Sequence, residues 1–126
     1  MACRFSELVV DSRDPESPAA FWAEVLDYGV LGRQEDGAVE IGPAAGSGGP
    51  APTILFAPVA EPTPGEVRLH VDVSPTDRDQ DAELARLLAL GATRADVGQS
   101  GDESFPVLAD PEGNEFCLLR RRLDPL

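Results

Sequence analysis

The stretch Val67-Arg68-Leu69-His70-Val71-Asp72-Val73, followed by Ser74-Pro75-Thr76-Asp77, decides the fold. Leu69, Val71 and Val73 alternate with Arg68, His70 and Asp72, the period of two expected of a strand buried on one face. Ser74 to Asp77 reads as a helix start. Leu84, Leu87 and Leu88 supply that helix's buried side and Gly91 its stop. The same order occurs once before. Residues 5–11 read as a strand, with Leu8 and Val10 on one face and Glu7, Val9 and Asp11 on the other. Asp14-Pro15-Glu16 then offers an N-cap carboxylate, a proline at the first helical position and an acid near the positive end of the helix dipole. Phe21, Trp22, Val25 and Leu26 form the buried stripe, with Gly29 just past the end. Glu7 and His70 lie 63 residues apart, as do Asp14 and Asp77, Leu8 and Val71, Phe21 and Leu84, and Val25 and Leu88. A strand followed by a helix is common. One offset shared by several matched residue types marks an internal duplication, and the 126-residue chain is two such lengths.

Working outward, Gly29–Arg33 and residues 38–41 read as short strands around the Glu35-Asp36-Gly37 turn. Residues 42–52 form a Gly/Ala/Pro loop expected to be mobile and exposed, and 52–59 a fourth strand. Pro62 and Pro64 mark 60–65 as a linker. After the second helix, strands fit 92–97, 104–109 and 115–119, with turns at 98–101 and 110–113. Arg120-Arg121-Arg122 reads as a solvated strand end. The chain is therefore α+β, βαβββ–linker–βαβββ, with module 1 over about 4–59 and module 2 over about 66–122 of one domain.

Composition narrows the partners. Against 23 Asp+Glu stand 10 Lys+Arg, all of them Arg, for a net charge of −13. Such a surface repels polyphosphate and anionic bilayers, so neither nucleic acid nor membrane is an expected partner. No basic-then-apolar leader and no apolar run of spanning length is present, which points to a cytoplasmic protein. Cys3 and Cys117 sit at opposite ends; one bridge is conceivable, but reduced thiols are expected. The chain has no Gly-x-Gly-x-x-Gly, Walker loop, Gly-x-Ser-x-Gly or Cys-x-x-Cys. The Gly-rich 42–49 segment lies between strands and lacks Lys, so it does not read as a phosphate cradle.

Several of these segments together resemble the vicinal oxygen chelate superfamily, the glyoxalase, bleomycin-resistance and extradiol-dioxygenase group. They are Leu8-Val9-Val10-Asp11 with Asp14-Pro15 and Phe21-Trp22, Arg68-Leu69-His70-Val71-Asp72, Leu87-Leu88-Ala89-Leu90-Gly91-Ala92, and 108–117, which contains Asp110-Pro111-Glu112-Gly113-Asn114. The likeness spans essentially the whole chain and is greatest to the small glyoxalase-like proteins of actinobacteria. It implies two paired βαβββ modules whose sheets curl into a cup with helices outside, and a site for a divalent metal and a small oxygen-bearing ligand on the inward face. Carried over by position, the first-strand ligands fall on Glu7 and His70. The last-strand position, usually Glu, falls on Cys117, with Glu115 two residues earlier on the same face. In module 1 the matching Leu55-Phe56-Ala57 supplies no ligand.

The resemblance thus implies a candidate metal set of Glu7, His70, Cys117 and Glu115 for one Zn, Ni, Mn or Fe ion, or a metal-free site. Candidate catalytic residues are His70 and Glu115; candidate ligand contacts are Val9, Arg68, Asp72 and Cys117. Each has a plainer reading. His70 is the sole histidine and fits a hydrogen-bonded pocket group, or a general base without metal. Glu7 pairs as readily with Arg68 across strands, Cys117 serves as a small buried hydrophobe, and Glu115 as a structural hydrogen-bond acceptor. A Cys117 nucleophile with His70 as base lacks a third orienting group. Trp22 reads as core. Two functions stay open: a glyoxalase-like lyase or isomerase, and a non-catalytic small-molecule binding or resistance protein of the bleomycin-resistance type. A homodimer is expected, because curled sheets leave edges to cover, and the 42–52 loop is a candidate lid.

Overall fold

The computed structural model describes residues 2, 4–61, 71–95 and 106–125. Its contacts divide the chain into two compact units, Met1–Gly65 and Glu66–Leu126. Unit 1 runs β1 (Glu7–Ser12), α1 (Glu16–Leu26), β2 (Gly29–Arg33), β3 (Val39–Gly42) and β4 (Thr53–Pro58). Unit 2 repeats it with β5 (Val71–Val73), α2 (Gln80–Leu90), β6 (Thr93–Arg94), β7 (Val107–Ala109) and β8 (Glu115–Leu118). The sheets have the same strand order, β1-β4-β3-β2 and β5-β8-β7-β6. In each the first strand runs parallel to the last and the other pairings are antiparallel. The tandem βαβββ architecture read from the period is thus the architecture found. Residues 67–70, 96–97 and 104–105 of the expected strands lie outside the described residues, as does most of the linker.

Register sorts the unit 1 sheet into two faces, because cross-strand partners share a side. Val10, Phe56 and Val39 occupy one row, and Leu8, Ile54 and Ile41 the next. Val39, Ile41 and Phe56 are buried. Helix α1 covers this face through Pro18, Ala19, Phe21 and Trp22, and packs chiefly on β3. Trp22 is core as expected, edge-on to Phe21 with ring centroids 5.3 Å apart. Arg33, in Val39's row, reaches Glu16 of α1 with bonds of 2.6 and 3.1 Å, holding that carboxyl below the usual range. Unit 2 buries Phe116, Leu118 and Leu108 in the same way, with Leu87 from α2.

Both helix starts differ from expectation. Pro15 itself takes the N-cap position of α1 in helical conformation, with no side-chain cap; the Asp14 N–H donates to Ser12 Oγ at 3.2 Å. Helix α2 starts not after Asp77 but at Gln80, capped by Asp79, whose Oδ1 accepts from Ala82 N at 2.8 Å. Asp77 is instead paired with neighbouring Arg78 at 2.9 Å. Two acids two residues apart compete for one cap, and the local ion pair removes the first. The buried side of α2 also shifts: Leu87 is buried, but Leu88 is 37% exposed and Glu83, paired with Arg86, is buried in its place.

The 42–52 loop is not free. Arg4 Nη2 donates to the Gly48 and Gly49 carbonyls, each at 3.0 Å, and the Tyr28 hydroxyl to the Pro52 carbonyl at 2.7 Å. The Asp110-Pro-Glu-Gly-Asn turn is stitched by buried Asp110. Its Oδ1 accepts from the backbone N–H of Glu112 and Asn114, and its Oδ2 from the Asn114 side chain, each at 2.9 Å. Arg120 to Arg122 are exposed, as read, and Arg122 caps the Thr76 carbonyl. Among the described residues no helix is long and apolar enough to cross a membrane.

Candidate functional site

On the unit 1 face away from α1, Glu7 stands opposite Thr53, Val9 opposite Leu55 and Asp11 opposite Ala57. Glu40 of β3 joins the Leu55 row, and its carboxylate accepts from Thr53 Oγ1 at 3.3 Å. Glu7 is exposed and Val9 is 53% exposed. A bulge between Val30 and Gly32 singles out Leu31. The missing Gly42 side chain makes room for it: a Cβ there would meet Leu31 Cδ1 at 2.6 Å and Thr53 Cγ2 at 2.9 Å. The result is an apolar strip of Val9, Leu31 and Leu55 flanked by Glu7, Asp11 and Glu40. Leu55, paired with Val9, takes the module 1 position that corresponds to Cys117, paired with Asp72.

On one unit 2 face, Asp72, Cys117 and Val107 form a cross-strand row, with Glu115, Ala109 and Thr93 in the next. Glu115 and Cys117 thus share a face, as strand parity requires. Cys117 is buried and in no disulfide. Burial pushes its thiol pKa up; the Asp72 charge, a side-chain hydrogen bond to Asp72, and the Glu115 charge push the same way. At neutral pH the group is therefore a thiol, not a thiolate, and that environment argues against a nucleophile.

The structure brings Asp72, Cys117 and Glu115 together in unit 2, and Glu7 and Val9 in unit 1. His70, Arg68 and Cys3 lie outside the described residues. Glu40, Thr53 and Leu31 were missed by sequence reasoning. Glu40 alone had a signal, as the polar residue between Val39 and Ile41. A resident metal needs three or four convergent donors. Among the described residues no group of three His, Cys, Asp or Glu side chains is placed to hold one. The residue standing where a Glu is expected is a buried thiol whose pKa is pushed up, which disfavours the thiolate a metal would need. The described donors do not fit a metal.

A four-stranded mixed sheet with one helix, repeated in tandem, defines a two-module α+β class, and the comparisons agree. A family profile, the glyoxalase-like domain, matches residues 7–119. The chain belongs to that family. Similar solved structures include a glyoxalase/bleomycin resistance protein/dioxygenase family enzyme from Burkholderia phytofirmans PsJN, 16% identical with a TM-score of 0.67 over 92% of this chain and 97% of that one. A second is the fosfomycin resistance protein FosX from Listeria monocytogenes, a variant complexed with Mn(II) and 1S,2S-dihydroxypropylphosphonic acid, 14% identical with a TM-score of 0.69 over 94% and 90%. A third is the trypanothione-dependent glyoxalase I of Leishmania major, 16% identical with a TM-score of 0.59 over 94% and 87%. At these identities the likeness is of fold alone. No curated protein matches the chain.

Proposed function

We propose that this glyoxalase-like protein binds a small oxygen-bearing organic molecule against the polar-edged sheet faces described above, without a resident metal. One observation carries the reading: Cys117 stands where a last-strand carboxylate is expected, and it is a buried thiol opposite Asp72. Val9, Arg68, Asp72 and Cys117 are the proposed ligand contacts, and Glu115 accepts a hydrogen bond from the ligand. His70 acts as a general base if the bound molecule is turned over. Sequestration of the bleomycin-resistance type needs no more than this. The net charge of −13 favours cationic molecules through steering. One domain of two modules, assembled as a cytoplasmic homodimer, is the organisation proposed with it.

The second reading is a metal-assisted lyase or isomerase. It draws on exposed Glu7 at the first-strand position, with His70, Cys117 and Glu115, and on the Mn(II) of the FosX neighbour. Thermal unfolding in EDTA separates the two, with small ketones, phosphonates and amines as probes. A probe at about 100 times its Kd adds about 2.7 kcal/mol, a shift of several degrees. We expect such a shift in EDTA, lost in Asp72→Ala. A shift seen only with added Zn²⁺, Mn²⁺, Ni²⁺ or Fe²⁺, and lost in Glu7→Ala, supports the metal reading instead.

A further inference from the structure

Residues 43–52 leave β3 at Gly42 and enter β4 at Thr53, the register partner of Glu7, so this strap is rooted at the Glu7 end of the unit 1 face. Its root and its middle are held differently. At the root, the half-buried Tyr28 hydroxyl donates to the Pro52 carbonyl at 2.7 Å. In the middle, one exposed side chain does the holding, Arg4 Nη2 on the carbonyls of Gly48 and Gly49 at 3.0 Å each. At the latched carbonyls, and on their β3 side, the backbone has room to turn. Gly46 and Gly48 have φ of 84° and 87°, and nothing lies within 4 Å of the absent Cβ of Gly46, Gly48 or Gly49. A single backbone bond, Gly46 N to the Pro43 carbonyl at 2.8 Å, folds the first half of the strap on itself.

With Arg4 in place, Glu7 is exposed and Val9 is 53% exposed, so the strap is held clear of the face. We propose that Arg4 is a latch that keeps this strap open. Letting go of Gly48 and Gly49 frees the middle while Tyr28 keeps the root, and the strap swings over the Glu7 end of the sheet. The contacts to be broken are exposed hydrogen bonds from a guanidinium to neutral carbonyls, which water replaces readily. Tyr28 is then a hinge pin, and Arg4 a positioning residue that need touch no ligand. The inference concerns the strap alone and stands whatever molecule the face binds.

The test uses the full chain carrying Cys3→Ser and Cys117→Ala, with a Val9→Cys and Ser47→Cys pair added and circular dichroism to confirm folding. Diamide-driven disulfide formation between the two new cysteines reads how often the strap middle reaches the face. We expect the rate to rise at least fivefold when Arg4→Ala is added, with Arg4→Lys falling between. Elastase cleavage after Ala44 or Ala45 in the otherwise unaltered chain is expected to accelerate in parallel, with Tm little changed. Equal cross-linking rates with and without Arg4 would overturn the latch. So would elastase cleavage that is already fast in the unaltered chain and indifferent to Arg4→Ala.

Discussion

Cys117 and Asp72 show how one residue's chemistry depends on its neighbour across the sheet. The thiol is pushed above the free-thiol range, first by burial and then by the Asp72 and Glu115 carboxylates, all of which penalise the thiolate. Iodoacetamide should therefore label Cys117 far more slowly than a free cysteine at pH 7.5. Asp72→Asn removes a like charge and should speed labelling several-fold at pH 8, as mass spectrometry of the 107–118 peptide would show. The sign for stability follows. A raised pKa means that the unfolded chain loses its proton first as pH climbs, so folded stability falls above the ordinary thiol pKa of about 8.5. Cys117→Ala should flatten that fall in urea melts. That Glu115 and Cys117 share a face was legible from strand parity. That Cys117 faces Asp72 was not, because register between strands distant in sequence is set by packing. Glu40 was legible by alternation as a polar residue on β3, but its partner Thr53 was not, because that contact too depends on register between strands.

The two helices are equal in length and 64 residues apart, Glu16–Leu26 and Gln80–Leu90, yet they end with different chemistry. Both C-caps are left-handed: Asp27 at φ 56°, and Gly91 at φ 117°, whose N–H reaches the Leu87 and Leu88 carbonyls. Only glycine adopts that conformation without a steric cost, so Asp27→Gly should stabilise by up to about 1 kcal/mol and Gly91→Ala destabilise by about as much. Chemical denaturation of the two variants, with unchanged m-values, checks the pair. Asp79→Ala should cost about 1 kcal/mol through the lost cap, whereas Asp77→Ala should cost less, its partner being the exposed neighbour Arg78. Gly91 as a stop was legible because its residue type names its conformation. The α2 start was not: Asp77 and Asp79 both read as caps, and only the Arg78 pairing separates them.

For the whole molecule, the 63-residue period foretold the repeated βαβββ order, and the structure adds the same pairing in both sheets, β1 parallel to β4 and β5 to β8. It could do so because both modules bury a similar apolar row, with Phe56 and Phe116 among the most buried side chains. Site chemistry was less legible because duplication preserves core positions, while the other face is free to diverge, Leu55 in one module and Cys117 in the other. The net charge of −13 acts at this scale as self-repulsion. Raising NaCl from about 0.01 to 0.5 M shortens the screening length to a few ångström and should raise Tm by several degrees. The central claim, a small-molecule site without a resident metal, is tested most directly by the metal content of the purified chain after incubation with Zn²⁺, Mn²⁺, Ni²⁺ or Fe²⁺ and desalting. We predict far less than one ion per chain, unchanged in Glu7→Ala and His70→Ala. One ion per chain, lost in either variant, would contradict it.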